Sequence, residues 1–286
     1  MQKLETDCKF NEQVRNMNRK NFETVLEQYI SRLAGLEQAD DSDQVYKWRA
    51  VGCFKRFWNL DAADFAGMFE KAMREAGNLL DDAAMQPVAG FRMLLARENE
   101  VEYVRECCRF LFSDDGGDLQ KRQDRADFFA DKINERIRYY ERGTRKYLQN
   151  RDHVLYYLNL WKPEENYMFD AASASGWAAC VEYDGDFSSK NFSLESYYQM
   201  CDELLDAIRE NEELTGLYSE LFEEELDGYD DQMHILVYDI MDCASLYRYY
   251  AGMDIRKTPS RERTKTAEAK AAQEKLKQEI ELKENA

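Results

Sequence analysis

Phe22, Val25, Leu26, Tyr29, Ile30 and Leu33 recur at steps of three and four, which predicts a helix with one buried stripe that ends near Gly35. After the polar run 38–43, Val45, Trp48, Val51, Phe54 and Trp58 predict a second helix. Asp61 then reads as the cap of a third, with Phe65, Met68, Phe69, Ala72, Met73 and Ala76 on its inner side. Pro87 suits a first helical turn, where a missing N–H costs nothing, and the helical period continues through 100–112. Gly116 and Gly117 interrupt it within the turn 113–118. A long helix follows from about Asp118 to Leu148, with Phe128, Phe129, Ile133, Ile137 and Tyr140 facing inward.

The pattern changes at 154–161, where Val, Leu, Tyr and Trp crowd together before Lys162-Pro163, and aromatic residues resume at 166–169. Such a run reads as strand, turn, strand, so one β-hairpin is expected over about 154–169, with a buried helical turn at 154–161 as the alternative because short apolar runs fit either period. Helical spacing returns behind the cap Ser193, with Leu194, Tyr197, Tyr198, Cys201, Leu204, Leu205 and Ile208 on one face. Residues 234–250 are nearly apolar all round and predict a central buried helix. The expected fold is therefore mostly α: a bundle-like, multi-helix body with one inserted hairpin and a polar C-terminal extension. Its expected parts are 1–117, 118–255 and a linker or solvated helix at 256–286.

Composition narrows the function classes. The 286 residues hold 39 Lys plus Arg against 57 Asp plus Glu, a formal charge of -18, which opposes indiscriminate binding to nucleic acid or anionic lipid. No apolar run approaches the ~20 residues of a bilayer helix, and no secretory leader opens the chain, so a cytoplasmic protein without a membrane partner is expected. Seven Cys without regular spacing point to buried thiols rather than a disulfide framework.

Phosphate-loop, dinucleotide and nucleophile-elbow signatures are absent, and His153 and His234 lie outside any metal-ligand spacing. Asp184, Asp186, Ser188 and Glu195 take the first, third, fifth and twelfth positions of a calcium loop. Ser189 stands where that loop needs glycine, and Lys190 follows it, so a polar loop ahead of a capped helix is the better reading. No catalytic residue, metal or cofactor is expected.

Charge is distributed unevenly. Residues 121–151 carry ten cations against five acids, and Lys132, Arg136, Arg138, Arg142, Arg145, Lys146 and Arg151, with Tyr139 and Tyr147 beside them, form a candidate phosphate-binding surface. Tyr156, Trp161 and Tyr167 are further stacking candidates close by in sequence. Asp124, Asp127, Asp131 and Glu135 sit at salt-bridge spacing in the same helix, which leaves a paired, solvated face open as the alternative. The stretch 202–242 has the opposite sign, with 15 carboxylates and one Arg, and reads first as a solvated helical face, with docking of a basic protein partner as the alternative.

Arg151, Leu155, Leu158, Pro163, Tyr167, Phe169, Phe192, Tyr198, Cys201 and Asp202 form a pattern that resembles the N-terminal region of McrB-like AAA+ restriction ATPases and bacterial relatives. The resemblance covers about 150–245 and implies a recognition or regulatory part linked to nucleic-acid defence, without the ATPase module itself. The chain thus reads as a non-catalytic binding module for nucleic acid. An acidic protein-interaction or scaffolding domain is the alternative.

Overall fold

A computed structural model describes residues 18–36, 45–187, 192–225 and 229–255, with the side chains of Asn78 and 222–225 left aside. The expected extension 256–286, the polar run 38–43 and Ser188 to Lys190 of the calcium-loop pattern lie outside the described residues. The helices are α1 (Arg19–Leu36), α2 (Tyr46–Phe57), α3 (Phe65–Ala72), α4 (Gly77–Leu80), α5 (Pro87–Leu95) and α6 (Glu98–Leu111). They continue with α7 (Leu119–Tyr140), α8 (Arg151–Trp161), α9 (Ala171–Val181), α10 (Leu194–Arg209), α11 (Glu212–Glu225) and α12 (His234–Leu246).

The described residues contain no strand, which corrects the hairpin expected at 154–169. His153 to Leu160 are all buried, so α8 has no polar face to reveal a 3.6-residue period and its crowded apolar residues imitate a strand. Its start is fixed by a capping box. Asn150 Oδ1 accepts from the His153 N–H at 2.9 Å, and His153 Nδ1 accepts from the Asn150 N–H at 3.2 Å. Residues 166–169 belong to no regular element and pair with no strand. Asn166 ties them to α8 by donating to Leu158 O and Lys162 O.

Other helix starts follow side-chain chemistry. Asp118, Asp170 and Ser193 accept from N–H groups three residues on, each such cap contributing ~1 kcal/mol. Asp64, rather than Asp61, caps α3 through the Gly67 N–H at 2.8 Å. The long helix ends at Tyr140 instead of near Leu148, and Gly143 then turns the chain with φ of +86°, a conformation glycine adopts without steric cost.

The buried side chains form one continuous core from Phe22 to Tyr249. Helix α1 packs on α9, α11 and α12, while α2 packs on α3 and α8, so early and late segments share the interior. Trp58 illustrates the packing: it stacks on Phe54 at 4.6 Å between ring centres and meets Phe112 edge-on at 5.4 Å. The apolar face of α10 packs as its spacing predicts, with Leu194, Tyr197, Cys201, Leu204 and Ile208 buried. Helix α12 is buried continuously from Ile235 to Met241, as its composition indicates.

Candidate functional site

Helix α7 is amphipathic, and its inward residues Phe129, Ile133 and Ile137 hold it against the body while the cations fall on its flanks. Those cations divide into two sets. Arg122 and Arg125 both reach Asp115, at 2.8 and 2.6 Å, and all three side chains are buried. Hydrogen bonds from Arg122 hold the Asp115 carboxyl well below the usual carboxylate range, and Arg122 is raised in turn despite its desolvation. Lys121 pairs with Asp118 at 3.4 Å, and Lys132 with Glu135 at 2.8 Å.

Arg136 grips the buried Glu100 with two nitrogens, and Tyr140 donates to the same carboxylate at 2.6 Å. Burial pushes Glu100 up, but the Arg136 and Tyr140 hydrogen bonds outweigh it and its pKa lies below the ordinary value. Arg151 reaches Asp127 at 3.3 Å and covers the Phe192 ring at 4.5 Å. Lys132, Arg136 and Arg151 thus have carboxylate partners within the fold.

Arg138, Arg142, Arg145 and Lys146 make no ion pair with the described residues. The three arginines are exposed and Lys146 is half-buried. They lie on the last turn of α7 and the loop behind it, where the unpaired carbonyls of a helix C-terminus favour positive charge. Tyr139 is the exposed ring of this corner, 64% accessible, although it meets Tyr140 edge-on at 4.9 Å and has the Arg136 guanidinium 5.8 Å from its centre.

Tyr147, in contrast, is half-buried against the core, Tyr156 and Tyr167 are buried, and Trp161 packs on Phe112 at 5.1 Å. These expected stacking surfaces are therefore packing residues. Of the two rings expected beside the cations, Tyr139 is the exposed one, on the side of α7 opposite Ile133 and Ile137.

The loop beneath the free cations is anchored. The Gln86 N–H donates to Lys146 O at 2.6 Å, and Gln149 donates to Pro87 O at 3.0 Å. Gly90 of α5 lies so close to Tyr147 that a Cβ there would collide with its backbone carbonyl. Arg97 adds a fifth cation nearby, its guanidinium 4.3 Å from the centre of the Tyr140 ring.

The acidic stretch disperses in the fold. Asp230 is buried and accepts from Tyr218 Oη at 2.6 Å and from the Ile235 and Leu236 N–H groups. Burial, against those hydrogen bonds, pushes its pKa up to about 6. Asp239 and Asp242 hold the buried Lys47, at 2.7 and 2.8 Å. That triad lay outside the predicted site, although Lys47 shares a helix face with Val51 and Phe54 and two carboxylates interrupt an otherwise apolar helix.

Four further acids of the stretch, Glu203, Asp206, Glu210 and Glu213, line a groove of about 440 Å³ between α1 and the α10–α11 corner, where Glu23, Glu27 and Arg19 of α1 join them around Phe22, Leu26 and Ile30.

Both His side chains are hydrogen-bonded within the fold. Burial drives His153 down to about 4 in its capping box, and His234 Nδ1 lies 2.7 Å from Pro163 O. The described cysteines are free, and burial raises Cys107, Cys108, Cys180, Cys201 and Cys243, the opposite of an activated thiol. Among the described residues no group of His, Cys, Asp or Glu is arranged to hold a metal, and no helix is long and apolar enough to cross a membrane.

No family model, curated protein or solved structure matches the chain. The residues behind the restriction-ATPase resemblance form a packing unit. Tyr167 donates to Asp202 at 2.7 Å and meets Tyr198 edge-on, while Phe169 meets Phe192 at 4.7 Å.

Proposed function

We propose that the protein is a non-catalytic binding module that contacts the phosphate backbone of a nucleic acid with Arg138, Arg142, Arg145 and Lys146, and offers Tyr139 to an unstacked base. One observation carries this reading: within 121–151 these four cations have no carboxylate partner among the described residues, while the rest are paired inside the fold. Unpaired guanidinium groups keep their capacity to release counterions from a phosphate strand, which paired ones have largely spent. The strongly negative body favours a local contact over a long wrapped path. A role in a restriction-type defence system is part of the proposal and rests on the resemblance over about 150–245.

A gel shift at low salt with single- and double-stranded oligonucleotides tests it. The expected result is a retarded complex lost in the triple variant Arg138→Glu, Arg142→Glu, Arg145→Glu. A complex that survives those reversals, or none with the unaltered chain, removes the proposal.

The acidic groove between α1 and α10–α11 favours a second reading, docking of a basic protein segment. Its apolar floor would take the greasy side of an amphipathic helix and its carboxylates the charged flanks. A pull-down lost on Glu203→Lys and Glu210→Lys, but kept in the arginine variant, would favour this reading.

A further inference from the structure

A separate cleft of about 340 Å³ opens where α2, α9 and α12 meet. Tyr46, Tyr156 and Tyr238 wall it, the carboxylates of Asp170 and Asp242 line it, and Leu246 stands beside them. Beneath it Lys47, 3% exposed, is clamped between Asp239 and Asp242, its ammonium 4.5 Å from the centre of the Tyr46 ring and 5.7 Å from that of Tyr238. One ammonium for two carboxylates leaves a negative charge uncompensated, and Asp170 adds another. No Lys or Arg lines the cleft among the described residues.

An anionic ligand is disfavoured by the state of the nearest helix start. The first N–H groups of α9 are already taken: Ala171 by Asp152, Ser173 by the Asp170 side chain and Ala174 by the Asp170 carbonyl. The C-terminal turn of α12 supplies Asp242, Ser245 and Leu246, and a helix C-terminus favours positive charge. Tyr156 and Tyr238 hydrogen-bond to each other, and their oxygens keep lone pairs beyond those the mutual bond uses. Aromatic walls, carboxylates and hydroxyl oxygens together match one ligand chemistry, a desolvated ammonium.

We propose that this cleft binds a small organic cation, an alkyl ammonium whose charge lies between Asp170 and Asp242 and whose aliphatic chain runs along Leu79 and Leu246. The site is independent of the cationic corner.

Isothermal titration calorimetry of the full chain with 1,4-diaminobutane, and with neutral 1,4-butanediol as control, tests the assignment. Asp170→Asn keeps the α9 cap, because asparagine caps as well as aspartate. Leu246→Lys places a tethered ammonium at a position that is 65% exposed, so neither variant should unfold the chain. The expected result is saturable binding of the diamine, none of the diol, and a loss of about tenfold or more in both variants, ~1.4 kcal/mol. Absence of saturable diamine binding overturns the proposal. So does unchanged affinity in both variants, which would mark diffuse association with an acidic surface.

Discussion

The two ends of α7 are built from the same residue types and differ in what they offer to solvent. From Lys121 to Arg136 every Lys and Arg has a carboxylate: Asp118, Asp115, Glu135 or Glu100. From Arg138 to Lys146 none does among the described residues. The first end is structure, since its arginines fasten α7 to the 113–118 turn and to α6. The second is surface. A local excess of positive charge therefore locates no interface until its partners in space are known, and here those partners cut the seven candidate cations to four.

The largest effect that would break this contrast is on stability. Arg122→Met should cost about 3–5 kcal/mol in urea unfolding, because it leaves the buried Asp115 carboxylate and Asn166 Oδ1 short of donors. A loss below ~1 kcal/mol would mean that the paired end is not structural.

Acid separates the ends further. The depressed pKa of Asp115 gives stability that is complete above the ordinary carboxylate range and is lost as pH falls through its lower folded value. Asp115→Asn should flatten the acid limb below pH 4. Alanine variants of the corner should lose stability in parallel with the unaltered chain.

His153 calibrates this experiment. Burial lowers it to about 4, so the unfolded chain takes up the proton first, and its contribution is present above pH 6.5 and lost on acidification toward 4. His153→Gln keeps a capping-box side chain and should remove up to about 3 kcal/mol of pH dependence in that window. A curve identical to that of the unaltered chain contradicts the assignment. The smallest effect is at the corner itself: Arg142→Ala and Arg145→Ala should each change stability by less than ~0.5 kcal/mol in the same urea assay.

The legible parts of this molecule are those where one physical signal acts alone. Phe22 to Leu33 and Leu194 to Ile208 alternate buried and exposed positions, so their helices are readable from spacing. Helix α8 was not, because burial on all sides erases the period, and because its cap uses a His where Glu or Gln is usual.

At the candidate site Lys132–Glu135 was visible as a three-residue step. Asp115–Arg122 spans seven residues, Asp127–Arg151 spans 24 and Glu100–Arg136 spans 36, and only the fold brings these together. The Lys47 triad joins residues 192 apart and was hidden in the same way.

The central claim is that the corner of α7, and not the rest of the basic stretch, meets a phosphate strand. Fluorescence anisotropy of a labelled single-stranded oligonucleotide, read as log K against log salt, tests it most directly. Each cation that contacts phosphate contributes a slope of about 0.7. Alanine at Arg138, Arg142 and Arg145 should lower the slope by about 2, while alanine at Lys132 should leave it unchanged. A slope reduced equally by both changes, or by neither, contradicts the account.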